Sequence, residues 1–326
     1  MRAFSEHPSN IVQRVTMDKI KHLCLYGLTY TLLAANTAMA ANMMTFNWPT
    51  SGSFIVEQKT IKEGSEAKYR YDINITQDKA SDYRQLTYSN FEMLSFKDPN
   101  GQSYGKERLE AITPMLAITA LVRLNVDPEG NFAGADGMAE AMEAFLQSGV
   151  TNNAINEEEL QQLRQAMSTP QMQQLLQSDS IESWNAWVGS WLKLPNQPGA
   201  AWDKQMAFDV YDQTIPFNVT YTQSNQVSKN GLVSWRMEST ADTDALLRVI
   251  GEYMQHVSQS IGDNAKAKPF NPNDIEMVEQ STTIYLVTDP NTLMPHTVIT
   301  ESNAQVRIKG KAPKLDYERN EYTFIW

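Results

Sequence analysis

Apolar and polar residues alternate with a period of two through Lys68–Thr76. Tyr69, Tyr71, Ile73 and Ile75 point one way, and Lys68, Arg70, Asp72 and Asn74 the other. This is the pattern of a strand with one buried and one wet face. The same alternation runs through Ile118–Val126 and predicts a strand there, with Ile118, Ala120, Val122, Leu124 and Val126 on one face; Phe91, Met93 and Ser95 mark another. Lys106–Ala111 fits strand or helix. Asp98-Pro99-Asn100-Gly101 and Asp127-Pro128-Glu129-Gly130 each follow a predicted strand, and Asp289-Pro290-Asn291-Thr292 is a third copy. Proline presets φ and glycine tolerates positive φ at the exit, so these segments read as hairpin turns.

The period changes between Met138 and Leu194. Leu160, Leu163 and Met167 form one helical stripe, and Met172, Leu175 and Leu176 a second. Ile181, Trp184, Trp187, Val188, Trp191 and Leu192 form a third. Asn156 with Glu159, and Asp179 with Glu182, have capping-box spacing, while Thr169-Pro170 sets a cap before a first-turn proline. From Trp202 onward the alternation returns in Phe217–Tyr221, Val233–Met237, Ile284–Thr288 and Tyr322–Trp326. One helix interrupts it, with Leu246, Leu247, Ile250, Tyr253, Met254, Val257 and Ile261 at helical spacing. Gly262–Pro272 reads as a loop.

Strands, then helices, then strands predict an α+β fold. The expected form is a curved, half-barrel-like antiparallel β-sheet built from both ends of the chain, with a helical segment covering one face. The expected organisation is a single mature domain over 41–326. Strands occupy 41–137, the helical cover 138–195, and strands with one helix 196–326.

The apolar run Leu23–Ala40 changes this picture by removing the start of the chain. Lys19 and Lys21 precede it, and Ala38-Met39-Ala40 places small residues at −3 and −1. A basic flank and an apolar stretch shorter than the ~20 residues of a membrane span predict a signal peptide cleaved after Ala40. Translation is expected to begin at Met17, with residues 1–16 an upstream extension. Cys24 opens the apolar run instead of following it, which argues against lipidation. The expected location is periplasmic or secreted, with no integral membrane segment after cleavage.

The whole chain carries 27 basic and 38 acidic residues. Four basic residues (Arg2, Arg14, Lys19, Lys21) and two acidic ones (Glu6, Asp18) leave with the leader, so the mature formal charge is −13. Such a surface disfavours nucleic acid and anionic headgroups. The single cysteine also leaves, and with it any disulfide, thiol nucleophile or thiolate metal site.

Catalytic and metal signatures are missing. There is no Gly-x-Ser-x-Gly elbow, phosphate-binding glycine loop or His-Glu-x-x-His. His256, beside Arg248 and Glu252 on a polar helix side, and His296, after Pro295, are both read as structural. Asp127, Glu129 and Asn131 space oxygens as a calcium loop does, but Phe132 holds the sixth position and Met138 the twelfth, so the segment reads as a turn. Glu157, Glu158 and Glu159 complement a helix N-terminus. Acids are plentiful, yet nothing singles out a pair for glycoside hydrolysis. No catalytic residue, metal or cofactor is expected. Tyr322, Phe324 and Trp326 match the ending of outer-membrane barrels, whereas Glu318 and Asn320 interrupt that pattern and the Gln/Glu-rich helices oppose it.

Three passages carry a resemblance. They are Val122–Phe132, Pro198-Gly199-Ala200-Ala201-Trp202, and Thr283–Pro295, where an Asp-Pro turn and a second proline join two strands. They resemble a loose group of secreted bacterial curved-sheet proteins, weakly similar to lipoprotein-carrier-like half-barrels. The resemblance implies a curved sheet, a helical cover and binding of a hydrophobic ligand or lipoprotein. The resulting expectation is a non-catalytic protein that binds a lipid, an acyl chain or a lipidated envelope partner. Trp184, Trp187, Trp191, Phe145 and Trp235 are the candidate contacts. Core packing competes with a pocket for the same tryptophans, and a lid helix reconciles the two. The alternatives are a structural or assembly partner in the cell envelope and a carboxylate-based hydrolase.

Overall fold

The computed structural model describes residues 43–78, 81–116, 118, 121–151, 161, 180–210, 213–260 and 274–326. Eleven strands form one curved antiparallel sheet: β1 Gly52–Lys62, β2 Ser65–Gln77, β3 Arg84–Lys97, β4 Arg123–Val126, β5 Phe132–Asp136, β6 Ala201–Val210, β7 Gln213–Val227, β8 Val233–Ala241, β9 Ile275–Thr288, β10 Pro295–Ile308 and β11 Lys314–Ile325. Their order is β5-β4-β3-β2-β1-β11-β10-β9-β8-β7-β6. Every neighbour except one is a sequence neighbour. The exception, β1 with β11, fuses the two ends of the chain through eight paired positions from Ile55–Ile325 to Lys62–Glu318.

Period-two patterning decides which face is covered. Phe54, Val56, Tyr71, Ile73, Leu86, Val219, Tyr221, Trp235, Met237, Ile284, Leu286, Val298, Tyr322 and Phe324 are all buried on one face and belong to a single core cluster. Three described helices carry apolar residues: α1 Lys106–Leu116, α2 Met138–Thr151 and, between β8 and β9, a helix Thr243–Ser260. The last turns Ala245, Leu246, Val249 and Ile250 onto the core. A further helix spans 180–187 and passes through Val188 into a 3-10 turn, Gly189–Trp191.

Several sequence expectations change. The strand expected over Ile118–Val126 begins only at Arg123. Lys106–Ala111 resolves as helix: Lys106 pairs with Glu110 one turn on, at 3.6 Å, and the helix extends to Leu116. The Asp98 turn does not join two sheet strands. It folds the chain back for one bridge, Lys97 to Ser103, before α1. The Asp127 and Asp289 turns do close the hairpins β4–β5 and β9–β10. The tryptophan helix ends at residue 187, so Trp191 lies in the 3-10 turn and Leu192 beyond it. The backbone of Gly189 passes so close to Asn185 that an added Cβ would meet Oδ1 at 2.2 Å. The expected caps at Asn156–Glu159 and Thr169-Pro170, the stripes from Leu160 to Leu176, the Gly262–Pro272 loop and residues 1–42 lie outside the described residues, as does Asp179.

Candidate functional site

The candidate site is the inner face of the sheet and the tryptophans laid across it. Trp184, Trp187, Trp191 and Trp235 are each 2 % exposed or less. Trp184 reaches Trp48 at 5.3 Å and Phe46 at 5.8 Å, edge-on. Trp187 stands edge-on to Tyr322 at 5.6 Å and Phe324 at 5.4 Å. Trp191 meets Tyr221 at 6.0 Å and Trp235 at 6.2 Å, and Trp235 stacks on Trp202 at 5.5 Å. The segment thus runs from Phe46 and Trp48 over β11 to β7 and β8. Four of the five nominated contacts meet in one core. The side chain of Phe145 lies outside the described residues, as does that of His256.

Sequence reasoning missed the strap that locks this cover. Met44, Phe46 and Trp48 alternate inward at the start of the described chain. The Met44 N–H donates to the Leu194 carbonyl at 2.8 Å, and the Lys193 N–H donates back to Met44 at 3.0 Å. The Trp48 indole donates to the Leu293 carbonyl at 3.1 Å, and that of Trp184 to Gly130 at 2.9 Å. Both acceptors sit in or beside the Asp-Pro turns. Arg84 donates through Nη2 to the Trp48 carbonyl at 3.0 Å, and its guanidinium lies 4.9 Å from the centre of the Phe46 ring. Burial lowers the Arg84 pKa from its usual value.

Other indoles are differently placed. Trp191 donates to the Ala186 carbonyl and Trp326 to that of Pro295. Trp187 Nε1, Trp235 Nε1, Asn185 Nδ2 and Ser190 Oγ are buried without a hydrogen-bond partner among the described residues. Leaving a buried donor unmatched costs about 1–3 kcal/mol.

Beyond Trp187 the inner face becomes polar. Gln58 opposes Tyr322, and Thr60 opposes Asn320. Thr60 donates to Asn320 Oδ1 at 2.6 Å, Tyr71 donates to Gln58 Oε1 at 3.2 Å, and Asn320 Nδ2 donates to Glu318 at 3.1 Å. Lys62 pairs with Glu318 at 3.2 Å. Burial raises the phenol pKa of Tyr69, Tyr71, Tyr88 and Tyr322. The Glu318 carboxylate adds to the rise at Tyr69 and Tyr322, and Glu182 of the cover adds to that at Tyr322. Burial pushes Tyr221 up to about 12. These phenols stay neutral hydrogen-bonding groups. The signal for this polar row was present as Asn320 and Glu318, the residues that interrupt the C-terminal alternation.

Among the described residues, no group of three or more His, Cys, Asp or Glu is placed to hold a metal ion. Asp127 is used by its own turn: Oδ1 accepts from the Glu129 and Asn131 N–H groups and Oδ2 from Asn131 Nδ2, each at 2.8 Å. Glu301 and Glu321 are both held by Arg319. His296 is half-buried at the start of β10. Among the described residues, no helix is long and apolar enough to cross a membrane. A scan against protein-family models found no match to the chain, and a search of curated proteins found none.

Proposed function

We propose that this is an exported, non-catalytic protein that binds a hydrophobic ligand, an acyl chain or the lipid of an envelope partner, between the inner sheet face and its tryptophan cover. The observation that carries the reading is the pair of buried indole N–H groups on Trp187 and Trp235 with no partner among the described residues. They belong to an apolar layer whose neighbouring indoles, Trp48, Trp184 and Trp191, all reach carbonyls. An acyl ligand carries such an acceptor in its ester or carboxyl oxygen and supplies apolar area for the rest of the layer. The 180–191 segment lifts to admit it. The resemblance to lipoprotein-carrier-like half-barrels and the Leu23–Ala40 leader support an envelope setting.

Native mass spectrometry of protein purified from its own envelope tests the proposal. The expected result is an added mass that organic extraction removes and identifies as lipid. A clean ligand-free mass, together with no uptake of an apolar dye, overturns it.

A further inference from the structure

The inner face of the sheet changes character along the strands, and the change has a direction. At one end it carries Phe54, Ile73, Val56 and Phe324, all buried. The next row joins Tyr69, Gln58, Tyr322 and Val298 across four strands. One row further stand Thr60, Asn320 and Thr300, and beyond them Lys62, Glu318, Ser302, Thr282 and Ser239. Strand periodicity puts all of these on the side that faces the core. Hydroxyls and amides at such positions gain little over apolar side chains and cost free energy wherever a bond is missed. Apart from the buried Thr282 these side chains are half-buried, and several bond to one another, so the band is a polar rim beside the apolar layer, a departure from a consistent core that marks a functional surface.

The charge on this band narrows the choice. Lys62 is matched by Glu318, Asp316 lies on the same face of β11, and Glu182 of the cover acts on Tyr322. The chain as a whole carries −11. An anionic headgroup meets repulsion here. Neutral hydroxyls meet side chains that both donate and accept.

Resting on the reading that an acyl chain lies under the tryptophans, we infer that the ligand is an amphiphile with an uncharged, hydroxyl-bearing headgroup. Its chain points toward Trp48 and Trp184, and its head lies over Thr60, Asn320 and Thr300. Trp187 stands at the boundary between the two halves.

Tryptophan fluorescence titrations with three probes sharing one dodecyl chain, each below its micelle threshold, test this. The probes are dodecyl maltoside, laurate and dodecyltrimethylammonium. The maltoside is expected to bind at least about tenfold more tightly than either ion, a difference of about 1.4 kcal/mol. T60V combined with N320L removes both partners of one hydrogen bond and is expected to weaken the maltoside about tenfold more than laurate, which erases the preference. If the double variant does not fold, T300V gives the same direction with a loss of about threefold, or about 0.7 kcal/mol. Equal binding of all three probes, unmoved by these substitutions, overturns the headgroup inference and leaves acyl binding standing. Preference for either ion overturns it in the same way. No binding of any probe overturns both.

Discussion

Truncating Trp48 tests whether the strap is a structural lock. The side chain is 1 % exposed, and its ring lies 5.1 Å from Trp326, 5.3 Å from Trp184, 5.6 Å from Phe46 and 5.7 Å from Phe54. It therefore ties the start of the described chain to its C-terminus, to β1 and to the cover. Trp48→Ala removes a fully packed aromatic, worth about 3–5 kcal/mol with its cavity. Its hydrogen bond to Leu293 adds about 1 kcal/mol. Native domains are stable by only about 5–15 kcal/mol, so the loss takes a large share of the total. Trp48→Phe keeps a ring and loses the indole N–H, so about 1–2 kcal/mol is expected. Urea unfolding followed by far-UV circular dichroism measures both, with an unchanged m-value indicating that the whole domain still unfolds together. A double-mutant cycle of Trp48→Ala with Trp184→Ala should show coupling of about 1 kcal/mol, the worth of an aromatic pair beyond its area. A Trp48→Ala cost under about 1 kcal/mol, or a coupling of zero, would refute the strap as a lock, since cavity formation alone exceeds that figure in a rigid core.

Alkaline pH probes the buried phenols. Tyr221 is raised to about 12, and Tyr69, Tyr71, Tyr88 and Tyr322 are raised too, so the unfolded chain loses these protons near pH 10 while the folded chain keeps them. Their contribution is fully present below pH ~10 and is lost as pH rises toward the folded values, at up to about 1.4 kcal/mol per pH unit for each tyrosine. Urea midpoints between pH 8 and 11, with tyrosinate absorbance, check this; midpoints that rise above pH 10 contradict it. Gly130→Ala should cost about 2–4 kcal/mol in thermal or urea unfolding, because its φ is +94° and a Cβ would sit 2.6 Å from Phe46. Asp127→Ala should cost about 1–2 kcal/mol by releasing three turn hydrogen bonds, and millimolar calcium should leave the wild-type midpoint unmoved. Trp187→Phe removes an unmatched donor, so ligand-free stability should change by less than about 1 kcal/mol while apolar-dye affinity falls; unaltered dye affinity would separate Trp187 from the site.

Local chemistry alone determined much of this protein. Side-chain alternation marked Lys68–Thr76 and the C-terminal strands, because a half-buried strand cannot hide its period. Asp-Pro turns announced two hairpins, and helical spacing placed Trp184 and Trp187 on one face. The same local rules misplaced the start of β4 and ran the tryptophan helix through Gly189, whereas the helix ends at residue 187 and a 3-10 turn follows. Only the tertiary structure decided that β1 lies against β11, bringing Thr60 to Asn320 across 260 residues. That pairing rests on which distant edges meet, and no local period records it. The polar row, the strap under the cover and the boundary at Trp187 all follow from it. In the chain read by itself, Asn320 and Glu318 are only breaks in a pattern; beside Thr60 and Lys62 they form a continuous surface.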